Sequence, residues 1–436
     1  MARNWLIELI SAALLITAAP AAAQLLPGGL GAGLPAPLGS VVGQPLGQGR
    51  VPAVLQSPLG IAVFEGSLSP QTLLSVRRER LHNLVRDNRA ELDVDDADAP
   101  VRRDEVVAVG ITSAALDKAR ATGFVIVRSD TITGLGIAVT VLRPPSRVPA
   151  RRAVVLLRAG DPGGSYELNY VYQPAGSTLG IVNSTVASSS PTYVDSALGL
   201  IDGGIGSHPA FAAAHIEQRG FAGAVQPSGH GTAVASLLVG NAGAFRGAAP
   251  GTSLLAADVY GGSPAAGSVE AIAQAMGWLA GRGVKVINIS LVGPPNRLLD
   301  ASVRALIERG VIVVAAVGND GPAAPAQYPA AYSGVVAVTG VDPRGRVLAE
   351  AGHAAHLDFA APGSEMAGAV PGGRYEILRG TSFAAPIVAA RLILAVQGGA
   401  MRPIDVVAVA AMPGKAVGRG IVCAECRIAP RSVGIR

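Results

Sequence analysis

Four short stretches of this chain hold side chains whose types could act on one another. Gly380-Thr381-Ser382-Phe383-Ala384-Ala385-Pro386 presents a serine among small residues, and Ser228-Gly229-His230-Gly231-Thr232 presents a histidine. Leu200-Ile201-Asp202-Gly203-Gly204 presents a carboxylate, and Val317-Gly318-Asn319-Asp320-Gly321 an amide. A serine hydroxyl is a poor nucleophile until a base stands beside it. An imidazole can take that proton and later return it to a leaving amine. A buried carboxylate fixes the imidazole tautomer and stabilises the imidazolium that forms. A side-chain amide can donate a hydrogen bond to a developing oxyanion. Together these groups would carry out acyl transfer. Ser382 alone decides nothing, because Thr or Ser before an Ala-rich apolar run is also ordinary helix-capping chemistry.

The elements that must position these groups can be read from hydrophobic runs. From Leu198 onward, short apolar runs that suit buried strands alternate with helical stretches. Strands are expected at 198–202, 254–259, 284–290, 311–317 and 335–341, and helices at 232–239, 269–280, 298–309 and 382–396. Such alternation predicts a doubly wound, mostly parallel α/β sheet with helices on both faces. In such sheets reacting groups gather at the carboxyl ends of the strands. Asp202, Ser290 and Asn319 all stand at or just beyond such an end. Upstream, residues 104–172 read as a small α+β domain in the order β-α-β-β-α-β, with Thr112 placed to cap its first helix. Residues 71–92 have leucines at helical spacing among arginines and read as one basic amphipathic helix with a solvated basic face. The acidic run from Asp93 ends it.

The set Leu200–Gly204, Ser228–Ala235, Val286–Gly293, Val314–Gly321 and Gly380–Pro386, in the chain order Asp, His, Ser, resembles the subtilisin-like serine proteases, the subtilases of peptidase family S8. The resemblance runs from about Leu198 to Val396. It implies that Asp202 orients the base, that His230 is the general base and acid, and that Ser382 is the nucleophile. It further implies that Asn319 serves the oxyanion hole and that Ser290, Leu291, Val292 and Gly293 form the strand edge that takes the peptide substrate. The 104–172 domain resembles the propeptide that often precedes such enzymes. Its last stretch would lie in the cleft, with maturation between Tyr172 and Val194. Gly203 departs from the Thr or Ser usual after the aspartate, and Ile387 and Ala390 from the His and Gly usual after Pro386. The resemblance implies an exported, self-maturing serine endopeptidase. A catalytically impaired binding protein of the same fold is the alternative. An esterase of α/β-hydrolase type would need Gly-x-Ser-x-Gly and the order Ser, Asp, His, and neither is present.

Composition fits this reading. The chain has 436 residues, 50% of them hydrophobic, and a net charge of only +5. No basic, aromatic-laced stripe supports nucleic-acid binding. Arg3, the apolar run Leu9–Ala19 and the small residues Ala21–Ala23 read as a cleaved export signal over 1–23, and hence as a periplasmic or secreted product. Residues 24–70, rich in Gly and Pro, read as a flexible segment; 71–100 as the basic helix and an acidic linker; 178–398 as the catalytic domain; and 399–436 as a tail. The only cysteines, Cys423 and Cys426, are too few for a zinc site and in an exported chain are expected to form a local disulfide. No metal site is expected from His353 and His356, and no cofactor is required. Structural calcium is common in the family, but no acidic loop indicates it. Asp258 and Asp320 read as solvated or turn-forming, and His208 as structural. The expected partners are a polypeptide substrate and the chain's own propeptide-like domain, with the protein a monomer.

Overall fold

A computed structural model of the chain describes residues 69–175 and 197–435. The export-signal reading, nearly all of the Gly/Pro-rich segment and the Ser-rich stretch after Ala175 lie outside the described residues. Ser69 caps helix α1 (Pro70–Asp87) by accepting from the Thr72 N–H at 3.1 Å. Strand β1 (Leu92–Val94) follows, in the stretch expected to be an acidic linker. The small unit continues with β2 (Pro100–Val109), α2 (Ser113–Ala121), β3 (Val125–Ile132), β4 (Ile137–Arg143), α3 (Ala150–Gly160) and β5 (Ser165–Tyr170). Its strands pair antiparallel, with β2 between β4 and β5 and β3 outside β4. Thr112 caps α2 through a 3.2 Å bond from Ala115 N–H. Alternation sorts the two faces of β2. Val106 and Ala108 pack with Ala153 and Leu157 of α3, while Val107 faces the larger unit.

The chain then runs along the larger unit as β6 (Gln173–Pro174). The larger unit begins with β7 (Leu198–Asp202) and β8 (Ile216–Gly220), followed by α4 (Gly229–Val239), β9 (Leu254–Asp258) and α5 (Val269–Gly281). Next come β10 (Val286–Ile289), β11 (Leu291–Val292), α6 (Arg297–Glu308), β12 (Ile312–Ala316) and β13 (Val336–Val341). Strands β14 (Phe359–Pro362), β15 (Met366–Val370) and β16 (Arg374–Leu378) precede α7 (Thr381–Gln397) and α8 (Pro403–Ala410). Seven strands form one sheet in the order β14-β13-β12-β10-β7-β9-β8, every pairing parallel. The order reverses about β7, the strand that carries Asp202. Val314 and Ala316 of β12 pack toward α4 and α7, and Val313 and Ala315 toward α5 and α6. Each fully buried aliphatic side chain of this kind contributes about 1.5–3 kcal/mol.

Two strands of the sheet escape the sequence reading. β8 carries Glu217, Gln218 and Arg219 on a sheet edge, so its polarity hides it, and β14 is only four residues long. The stretch after residue 398 is not a loose tail. Val407, Val422 and Ile428 belong to the main core, and Val422 N–H donates to the Ala360 carbonyl beside β14 at 2.7 Å. The small unit docks on α5 and α6: Ile132, Leu135, Val139 and Val141 join the core formed by Ile272, Met276 and Leu279. Arg128 bridges the two units. Its guanidinium donates to Glu270 at the start of α5, and it reaches Glu105 at 2.9 Å.

Candidate active site

β7 delivers Asp202 to the carboxyl end of the sheet, where it is fully buried. One carboxylate oxygen accepts from the Gly203 N–H at 2.7 Å. Thus the residue that departs from the family pattern holds the carboxylate through its backbone. His230 is the second residue of α4, whose cap is Ser228. Its Nδ1 lies 2.9 Å from both oxygens of Asp202, which makes Nδ1 the protonated nitrogen facing a carboxylate. Its Nε2 is buried and has no hydrogen-bond partner among the described residues. The imidazole ring lies 5.5 Å from the ring of Phe383, the neighbour of Ser382.

Ser382 is the second residue of α7 and is fully buried. It is not a cap: the capping residue is Gly380, with φ of +140°, and no side chain caps this helix. Only glycine suits Gly380, since a Cβ there would sit 2.7 Å from the Asn319 amide nitrogen. Pro386 lies inside α7, where its missing N–H would leave the carbonyl four residues back, on Ser382, without a helical donor. The Ser290 hydroxyl supplies that bond at 2.9 Å and is itself held by the Asn288 amide at 3.0 Å. Ser290 thus has a structural role that its place just after β10 did not announce. The Ser382 hydroxyl donates to the Ser290 carbonyl over a long 3.3 Å.

Asn319 follows β12. Its Oδ1 accepts from the Thr381 N–H at 2.9 Å, and its Nδ2 donates to the carbonyl of Ala175. Ala175 is the last described residue of the segment that leaves the small unit. β6 pairs antiparallel with β11, Pro174 opposite Leu291 and Gln173 opposite Val292. Ala175 N–H donates to the Ser290 carbonyl at 2.9 Å. On its other side the segment meets residues 267–268: Tyr172 N–H donates to the Gly267 carbonyl at 2.7 Å. Tyr172 is fully buried, its ring over Gly293 and its hydroxyl 2.5 Å from the Pro294 carbonyl. The Tyr260 hydroxyl donates to the Tyr172 carbonyl at 2.9 Å. An extended backbone thus lies between two strand edges with the Ala175 carbonyl on the Asn319 amide. Ala175, Gly267 and Tyr260 are absent from the sequence reading, in which Tyr172 is only the end of the small domain and Asn288 only a member of the Val286–Gly293 motif. The only signal they gave was Gln-Pro-Ala just before a Ser-rich stretch.

The other singled-out residues lie elsewhere. Cys423 and Cys426 are joined across the turn Ala424–Cys426. Among the described residues, the one cluster with metal-ligand spacing is Cys423, Glu425 and Cys426, whose sulfurs are in that bridge. His356 Nε2 donates to the Val335 carbonyl at 2.8 Å. His208 accepts from Ala210 N–H through Nδ1 and donates to the Arg374 carbonyl through Nε2, and burial pushes its imidazole below the usual range. Asp258 is buried and turn-forming, accepting from the Tyr260, Gly261 and Gln226 amides; burial pushes its carboxyl up. Asp320 sits in a bend, and its carboxylate is not solvated but paired with Arg77 and Arg80.

Known proteins match this arrangement. The model of the Subtilase family of peptidases matches residues 195–406. Subtilisin Savinase of Lederbergia lenta is 35% identical over 240 residues, 53% of this chain and 83% of that protein. The alkaline protease of Alkalihalobacillus alcalophilus is also 35% identical over 240 residues, but these make up 59% of its length. Among solved structures, fervidolysin from Fervidobacterium pennivorans superposes with a TM-score of 0.62 at 18% identity, over 77% of this chain and 62% of that one. The epidermin leader peptide processing protease of Staphylococcus aureus gives 0.55 at 15% identity, over 73% and 96%. At such identities the two structures speak for the fold alone. With most of a subtilisin's length matched at 35% identity, the chain belongs to the subtilase family of serine-type endopeptidases.

Proposed function

We propose that this chain is an exported precursor of a serine endopeptidase that cuts itself after Ala175 and then cleaves other polypeptides. The single observation that carries the reading is the seating of residues 172–175. Their backbone is added to β11 as a substrate strand would be, and the Ala175 carbonyl sits on the Asn319 amide.

In this reading His230 Nε2 takes the proton of the Ser382 hydroxyl as Oγ attacks the Ala175 carbonyl carbon. Asp202 holds the ring by Nδ1 and stabilises the imidazolium. The carbonyl oxygen becomes an alkoxide facing Asn319 Nδ2 and the Ser382 N–H at the start of α7. The C–N bond to residue 176 breaks as the imidazolium returns its proton to the leaving amine. Water then enters, giving its proton to His230, and the acyl ester of Ser382 is hydrolysed. Side chains and backbone supply every step, with no cofactor called for. The export step rests on the N-terminal sequence, and the small unit acts as the propeptide.

The test compares the full chain with Ser382→Ala, following precursor mass and digestion of an unfolded protein. The wild type is expected to yield a fragment beginning at Gly176 and to digest the substrate; the variant should do neither. Equal behaviour of the two chains would overturn the reading.

A further inference from the structure

The helix upstream of the small unit does more than its basic composition suggested. α1 presents Leu73, Arg77, Leu81 and Leu84 along one face at spacings of three and four, and both Leu73 and Leu81 are buried. At its first turns, the Leu73 side chain packs on Gly321 so closely that a Cβ there would lie 2.7 Å from Cδ1. One and two turns later, Arg77 Nε meets one oxygen of Asp320 at 3.1 Å, and Arg80 Nη2 meets the other at 2.6 Å. Asp320 is 11% exposed, so this charge is largely withdrawn from water with both oxygens engaged. Toward its end, Leu84 and Val85 pack with Leu92, Val171 and Ala265.

These two footholds adjoin two different groups that hold the seated segment. Asp320 and Gly321 directly follow Asn319, whose amide holds the Ala175 carbonyl. Ala265 precedes the 267–268 edge, and Val171 begins the seated segment. α1 therefore grips the larger unit beside the oxyanion donor and again beside the other substrate edge.

We propose that the surface formed by Asp320, Gly321 and Ala265 is a second inhibitory docking site, separate from the cleft, whose occupant is α1 acting as a strap. This rests on the reading of the chain as a self-cutting precursor. Cutting after Ala175 leaves the strap in place, because residues 69–175 remain one covalent piece that holds the cleft through β6 and the oxyanion loop through Arg77 and Arg80. Activity then appears only when α1 lets go or is itself degraded.

The experiment uses the full chain and Arg77→Ala/Arg80→Ala. It records the interval between loss of full-length protein and onset of cleavage of a chromogenic Tyr-Gln-Pro-Ala anilide. The double variant is expected to shorten this interval at least about threefold, as loss of a pair of partly buried ion pairs would, with unchanged activity per mature molecule. An unchanged interval overturns the proposal. A second measurement does not depend on activity. In the Ser382→Ala background, the double variant is expected to raise amide hydrogen exchange across residues 318–321, with residues 312–316 of β12 as the internal control; unchanged exchange also overturns it. A wild type that never cuts itself would defeat the protease reading instead, and the exchange result would still decide whether α1 grips the loop.

Discussion

The side-chain amide of Asn319 ties the start of the Ser382 helix to the segment in the cleft: its Oδ1 accepts from Thr381 N–H at 2.9 Å while its Nδ2 donates to the Ala175 carbonyl. One end holds the helix start and the other holds the Ala175 carbonyl, which the proposed self-cleavage would attack, so the two can be separated by substitution. Asn319→Asp keeps an acceptor for Thr381 and loses the donor. It is expected to lower kcat by about 10²–10³, the cost measured for such a donor in subtilisin itself, with little change in melting temperature. Asn319→Ala loses both bonds and should also cost about 1 kcal/mol of stability. Parallel kinetics and thermal melts check this; equal kcat for Asn319→Asp and wild type would remove the oxyanion role.

Gly203 stands where the family resemblance leads one to expect Thr or Ser, and its surroundings leave no room for a side chain. A Cβ there would lie 2.5 Å from Ser228 Oγ, the oxygen that caps the His230 helix through Gly231 N–H at 2.9 Å. Gly203→Ala is expected to cost about 1–3 kcal/mol by overpacking and to lower activity by disturbing His230. Combined with Ser228→Gly, which opens the space but gives up a cap, it should cost less than the sum of the two. A double-mutant cycle from denaturant melts decides, and strict additivity would mean that the two positions do not press on each other.

The legible part of this molecule was the part built from runs and short motifs. Val311–Val317 is apolar because it is buried on both faces, and Asp202 and Asn319 stand at or just beyond such runs, while His230 and Ser382 lie in short motifs at helix starts. What stayed hidden was set by tertiary contact. β8 is polar because it is a sheet edge, and β1 is acidic because only Leu92 of its three residues is buried. Arg77 and Arg80 looked like a solvated face because Asp320 lies 243 and 240 positions away. Ala175 has no chemistry of its own, and only its place against Ser290 and Asn319 gives it meaning. Likewise Ser290 read as substrate edge, while its hydroxyl repairs the gap left by Pro386.

The Arg128 bridge gives the small unit a pH dependence of definite sign. Burial pushes the Glu105 carboxyl up, but hydrogen bonds and charge from Arg128, with Asn169 and Arg102, outweigh it and hold the carboxyl below its ordinary 4.5. The native state therefore binds fewer protons than the unfolded one near that pH. The stabilisation is complete above about pH 4.5 and is lost as the pH falls through the lower native value. In the Ser382→Ala chain, which is expected to stay intact, melting temperature should drop more steeply from pH 5 to pH 3 than in Ser382→Ala/Glu105→Gln. Parallel curves would show that Glu105 carries none of the acid sensitivity.

Tyr172 is the deepest anchor of the segment that fills the cleft, with no exposed surface, its ring on Gly293 and its hydroxyl on the Pro294 carbonyl. The backbone bonds around it are made by any extended peptide, so they give affinity without choice. The side-chain site is where choice enters, and a fully buried aromatic ring is worth about 1.5–3 kcal/mol over an exposed one. If the seated segment stands for substrate, a peptide with the order Tyr-Gln-Pro-Ala before the cut is expected to exceed Ala-Gln-Pro-Ala in kcat/KM by about 10- to 100-fold. Tyr172→Ala in the full chain should slow self-cleavage by a similar factor, because the same site is left unfilled. Competition between the two peptides on the mature enzyme tests the first expectation without involving the precursor. Indifference to the aromatic residue there would mean that the site is used for holding the small unit and not for choosing substrates.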